Sequence, residues 1–133
     1  MRRQNISSGT KWEAIAGYSR AVRVGDVVHV SGTTATDEEG HVVGAGDVYA
    51  QTSYIIQKIA RALEQAGASL ADVVRTRIYV TDAGRWEEAA RAHAMAFGDI
   101  RPANTLIEVS ALVGAEYLVE MEAEAIIGAG GEV

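Results

Sequence analysis

The sequence predicts a single α+β domain in which two amphipathic helices lie on one face of a mixed sheet. Three observations carry this. Val74, Thr76, Ile78 and Val80 alternate with Arg75, Arg77 and Tyr79, the period of a strand. Tyr49, Ser53, Ile56, Ile59, Ala60, Leu63 and Ala66 recur at three- and four-residue spacing, the period of a helix. In the last stretch, Tyr117 to Ile127, Val119, Met121, Ala123 and Ala125 alternate with Glu120, Glu122 and Glu124, so one face is core and the other acidic. With 133 residues, 48% of them hydrophobic, the chain can build one core of ordinary size, and residues 1–133 read as one domain.

Taken in order, the elements are as follows. Tyr18 to Ser31 is rich in Val and split by Gly25-Asp26, which predicts a hairpin of two strands. Thr36 to Gly40 is a polar turn, and His41-Val42-Val43 predicts a third, minor strand. Asp47 caps the main helix and Gly67 ends it. After the strand around Arg75 and Arg77, a second helix is marked by Trp86, Ala89, Ala90, His93 and Phe97; Gly98 closes it and Pro102 prevents its resuming. Two strands follow, Thr105 to Leu112 and Tyr117 to Ile127. With both helices on one side, the other sheet face is uncovered and carries Arg75, Arg77 and the glutamates. Such a face is expected to pack against another subunit through inter-subunit ion pairs.

Composition excludes several functions. A net charge of −6 has the wrong sign for neutralising phosphates, so nucleic acid is not expected as a partner. There is no cysteine, hence no disulfide, thiolate metal site or thiol nucleophile. Met1-Arg2-Arg3 has no apolar stretch behind it and no later window is apolar enough to span a bilayer, so no membrane association is expected and cytoplasm is the default location. The three histidines lie on separate elements without ligand spacing, and no metal is expected. His93, among Trp86 and Phe97, reads as a partly buried, hydrogen-bonded histidine. Trp12 and Tyr18 read equally as an aromatic lid over a small ligand or as a packed N-terminal segment.

Three stretches carry more than fold information: Gly17-Tyr18-Ser19-Arg20, Val30-Ser31-Gly32-Thr33, and Arg101-Pro102-Ala103-Asn104 running on to Val119-Glu120-Met121-Glu122-Ala123. With the segments Ala66 to Val74 and Thr76 to Asp82, they resemble the Rid (YjgF) family of reactive-intermediate deaminases, also described as L-PSP endoribonuclease-like, over nearly the whole chain. The resemblance implies a chorismate-mutase-like fold, a homotrimer whose sheets form a central barrel, small-molecule clefts between subunits, and no cofactor. It also implies a catalytic Glu120 that positions water for hydrolysis of an imine or enamine, with Tyr18, Ser31, Gly32, Arg75 and Asn104 at the substrate.

Two positions depart from the deaminating pattern. Asn104 stands where those members carry the Arg that binds a substrate carboxylate, and Ala90 where several carry Asn. A neutral amide cannot reproduce the bidentate, charge-assisted pair of a guanidinium. Two readings follow: a hydrolase of a small imine, enamine or related metabolite, or a Rid-fold binding protein without deaminase activity. Arg101 is a possible substitute cation, although three residues of extended chain span roughly 10 Å and reverse the face. Glu120 itself has a structural reading, as an ion-pair partner of Arg75 or Arg77, and Glu122 and Glu124 are expected to be such partners.

Overall fold

In the computed structural model, which describes residues 1–131, six strands form one mixed sheet. In chain order the elements are β1 (Arg3–Ile6), α1 (Lys11–Ala16), β2 (Ala21–Val24), β3 (Val27–Thr34), α2 (Val48–Gln65), β4 (Val73–Val80), α3 (Trp86–Phe97), β5 (Ala103–Glu108) and β6 (Val119–Ile126). Across the sheet the order is β1-β2-β3-β6-β4-β5. All neighbours are antiparallel except β4 and β5, which α3 joins as a parallel crossover.

The predicted hairpin turns at Gly25, which takes φ 61. Asp47 caps α2 by accepting from the Ala50 amide at 2.9 Å, and Gly67 leaves the helix at φ 88. The core lies between the sheet and the pair α2 and α3. Val28, Val30, Ile78, Val80, Met121 and Ala123 supply its sheet side, and Ile55, Ile59, Leu63, Ala89 and Phe97 its helix side. Both helices therefore cover one face.

Several expectations need correction. His41-Val42-Val43 is not a strand; only an isolated bridge joins Thr36 to Val42, because Gly40 and Gly44 at positive φ turn the chain on either side. The sixth strand is instead β1, whose polar Arg3-Gln4-Asn5 has little intrinsic strand preference and is extended by pairing with β2 at the sheet edge. A third helix, α1, was not expected. Val74 is exposed rather than buried, because the β4–β6 register shifts between Val73 and Arg75, so Val73 takes the core place. Tyr49 and Trp86 sit at the outer starts of their helices; Val48, Thr52 and Ala92 are buried in their stead.

On the face away from the helices, Arg77 Nη1 donates to Glu124 at 2.9 Å and lies 3.5 Å from Glu122, which accepts a further bond from the Tyr79 hydroxyl. Glu122 and Glu124 are thus cross-strand partners of Arg77, as expected. No helix among the described residues is long and apolar enough to cross a membrane.

Candidate functional site

The site grows from the place where β3 leaves its regular ladder. Its pairing with β6 slips between Val30 and Thr33, which puts Ser31 and Gly32 in a bulge. The side chain of Glu120, opposite Thr34 on β6, folds over the space that this bulge opens. A Cβ built on Gly32 would stand 3.2 Å from Glu120 Cδ and closer still to Oε2. Only a residue without a side chain leaves the carboxylate its place.

Glu120 faces a cavity of about 230 Å³ walled by Trp12, Tyr18, Arg20, Lys58, Val113 and Tyr117. Burial pushes its carboxyl above the ordinary carboxylate range; the nearby Arg20 charge acts against this and Glu122 with it. The group is half-buried.

Arg20 organises the opposite wall. It is 6% exposed, and its guanidinium donates to Gly32 O at 2.9 Å, Thr33 Oγ1 at 2.8 Å and the Tyr18 hydroxyl at 3.2 Å. One side chain thereby ties the Tyr18 ring to the bulge that carries Gly32. Behind it, Glu13 of α1 lies 3.8 Å from Arg20 Nε. Glu13 is itself buried and accepts from the hydroxyls of Ser7, Ser8 and Thr10. Burial raises its carboxyl, but these hydroxyls and the Ser8 amide together hold it below the usual range. This knot fastens α1, and so Trp12, over the cavity.

Lys58 of α2 reaches the same cavity and donates to Thr34 O at 2.9 Å and Thr36 O at 3.0 Å. Thr36 in turn donates to the buried Tyr117 hydroxyl at 2.8 Å. Buried Gln51 fixes the chain ahead of β6, donating to Glu116 O and accepting from the Leu118 amide.

Of the residues expected at the site, Tyr18, Gly32 and Glu120 come together in this cavity. Ser31 is adjacent, its hydroxyl donating to Ser19 O at 2.6 Å and its side facing a separate depression shared with Tyr18. Arg75 and Asn104 line neither. Arg75 pairs in register with Glu124, four residues or roughly 13 Å along β6 from Glu120, and donates to Thr105 Oγ1 at 2.7 Å. Asn104 is paired with Thr76 and donates to its hydroxyl at 3.0 Å; that hydroxyl is also 2.9 Å from His93 Nε2. His93 is half-buried beside Phe97, and burial holds its pKa low, the partly buried histidine expected. Arg101 turns away at φ 55, donating to Gly98 O. Among the described residues, no group of three His, Cys, Asp or Glu side chains could hold a metal ion.

Sequence reasoning missed Glu13 and Lys58, and it placed Arg20 in the Gly17-Tyr18-Ser19-Arg20 stretch without giving it a role. Thr10-Lys11-Trp12-Glu13 followed by Gly17 has the spacing of a capping box and a glycine stop, a readable signal for α1. Lys58 falls at three- and four-residue spacing between buried Ile55 and Ala62, which places it on the inward side of α2.

The sequence profile described as Endoribonuclease L-PSP matches residues 8–127 of the chain. The chain belongs to this family, the Rid (YjgF) family. Among Rid relatives, a RutC family protein of Pyrococcus abyssi is 38% identical over 109 residues, 82% of this chain and 85% of that protein. The 3-aminoacrylate deaminase RutC of Acinetobacter baylyi is 34% identical over 107 residues, 80% of this chain and 84% of that one. Among solved Rid structures, Rv2704 of Mycobacterium tuberculosis, a member of the YjgF/YER057c/UK114 family, is 50% identical. It superposes with a TM-score of 0.86 over 95% of this chain and 100% of its own. The mixed six-stranded sheet with helices on one face is thus the Rid fold.

Proposed function

We propose that the protein is a Rid-type hydrolase acting on a small imine, enamine or related metabolite, with Glu120 as its acid/base group. The observation that carries this is the Glu120 carboxyl, half-buried over Gly32, lifted above the carboxylate range and facing a small cavity. A carboxyl so lifted can donate a proton to an imine nitrogen and accept one from the attacking water. Water oxygen adds to the C=N carbon, the nitrogen leaves as ammonia, and a carbonyl remains. Atoms balance with water as the sole co-reactant. The relative named 3-aminoacrylate deaminase supports a reaction of this class.

In this reading the molecule acts as a homotrimer. The sheet face bearing Arg77, Glu122 and the exposed Ile107 packs against neighbouring copies, and the seam completes the cavity. Ser31, Arg75 and Asn104 would then reach substrate only from the seam.

A second reading is a ligand-binding Rid-fold protein without deaminase activity. It is favoured by Asn104, which is neutral and already committed to Thr76. Incubation of the pure protein with freshly generated imino acids separates the two. Ammonia release faster than in buffer supports the hydrolase, and no acceleration supports the binding protein.

A further inference from the structure

We propose that Lys58 is a covalent binding site for a small carbonyl compound, its Nζ capturing an unhindered aldehyde as a Schiff base where the Glu120 cavity meets its neighbour. The inference stands apart from the hydrolase reading, since it needs the amine and the cavity but no acid/base role for Glu120.

Lys58 lines two cavities. One is the Glu120 cavity; the other, of about 220 Å³, shares Thr10, Arg20 and Thr36 with it and adds Tyr54, Arg61 and Gln65. A surface lysine ordinarily keeps its head group in water. Lys58 instead turns it onto the backbone, donating to Thr34 O at 2.9 Å and Thr36 O at 3.0 Å. With Cε, these bonds take three of the four directions of a tetrahedral nitrogen. An ammonium has a third N–H in the remaining direction, and no partner among the described residues accepts it. The neutral amine keeps both bonds to the carbonyls and holds its lone pair there. The backbone thus orients a nucleophile, and the apolar walls at Trp12, Ile15 and Val113 suit an alkyl group on the incoming carbonyl.

The surroundings favour the neutral form. The charged groups facing Lys58 are Arg20, Arg61, Glu13, Asp37, Glu38 and Glu120, together with the phenols of Tyr18, Tyr54 and Tyr117. Burial, then the Arg20 and Arg61 charges, pulls its pKa down to about 8, and Glu13 and Asp37 act in the opposite direction. About one Lys58 in ten is therefore neutral at pH 7, against fewer than about one in a thousand for an ordinary lysine. Desolvation beside other cations is the setting in which lysines form Schiff bases. The Nζ lone pair adds to the carbonyl carbon, two hydrogens pass from nitrogen to the carbonyl oxygen, and that oxygen leaves as water. Aldehyde and amine give imine and water with no other reactant. The carbinolamine and the protonated imine each keep one N–H for a backbone carbonyl.

The test is reductive trapping on the full chain with propanal and cyanoborohydride, with Nα-acetyllysine in the same tube as a reference amine. The reductant delivers hydride to the imine carbon and fixes a propyl group on the nitrogen. The sequence holds two lysines, Lys11 and Lys58, so peptide mass spectrometry separates them from each other and from the N-terminal amine. We expect Lys58 to be propylated at least about tenfold faster than both Lys11 and acetyllysine at pH 7. The ratio to acetyllysine, in which the reductant's own pH dependence cancels, should fall as pH rises from 7 to 10 and the ordinary amine loses its proton. A ratio under about tenfold against either reference at pH 7, or one that does not fall with pH, overturns the proposal. Ammonia release from imino acids without Lys58 labelling sinks this inference and leaves the hydrolase reading standing. Lys58 labelling without ammonia release does the reverse.

Discussion

The Glu120 carboxylate occupies the space that a side chain on Gly32 would fill, so Glu120 and the bulge in β3 are one structural unit. Gly32→Ala places a methyl group against Glu120 Oε2 and Cδ. Because the displaced atoms are the far end of a flexible side chain, the fold tolerates the change and the carboxylate moves. We expect kcat/KM for imine hydrolysis to fall by about a hundredfold, with a melting temperature close to that of wild type. Steady-state kinetics beside a thermal melt check both halves.

Glu120 also carries a stability cost. Its folded pKa is raised above the unfolded value of 4.5, so the folded chain holds this proton more tightly. Stability is lost as pH rises from 4.5 through the folded pKa, and the penalty is complete above it. Glu120→Gln should therefore melt higher than wild type at pH 7.5 while losing hydrolysis, and the gap should close towards pH 4.5. Melting curves over that pH range supply the test; a variant that melts lower at pH 7.5 contradicts the electrostatic account.

Glu13 runs in the opposite direction. Its folded pKa lies below 4.5, so its bonds to Ser7, Ser8 and Thr10 contribute stability above that pH and lose it as pH falls through the folded value. Glu13→Gln should be less stable than wild type at neutral pH, and the difference should vanish in buffer acid enough to protonate Glu13 in the folded chain. Urea titrations at neutral and acid pH measure the two gaps.

Arg20 holds three acceptors from a buried position, and Met in its place leaves Gly32 O and Thr33 Oγ1 without their donor. We expect Arg20→Met to cost about 3 kcal/mol in urea unfolding. It should also raise KM through the freed Tyr18 ring. Loss below 1 kcal/mol would mean that water replaces the guanidinium.

Much of the fold was legible because its signals are local. The alternation from Thr76 to Val80 and in β6, the Gly25-Asp26 turn and the cap at Asp47 each fix an element from a few adjacent residues. β1 was not legible because its strand character comes from pairing with β2 rather than from Arg3-Gln4-Asn5. Val74 was misread because a bulge breaks the period on which the reading rests. At the site, Tyr18, Gly32 and Glu120 stood out as motif residues. Arg20 stood in a motif stretch without a role, and Glu13 and Lys58 did not stand out, since what these three do depends on burial and on carbonyls and hydroxyls distant in sequence. A charged residue on an inward helix position, as with Lys58 between Ile55 and Ala62, is a local conflict that the helical period alone does not explain.

The most direct test of the central claim is ammonia release from freshly generated imino acids by wild type and Glu120→Gln in parallel at neutral pH. The account predicts clear acceleration over buffer by wild type and loss of at least about a hundredfold in the variant, the scale of removing a positioned acid/base group. Wild-type acceleration that survives in Glu120→Gln, or no acceleration by wild type, would contradict it.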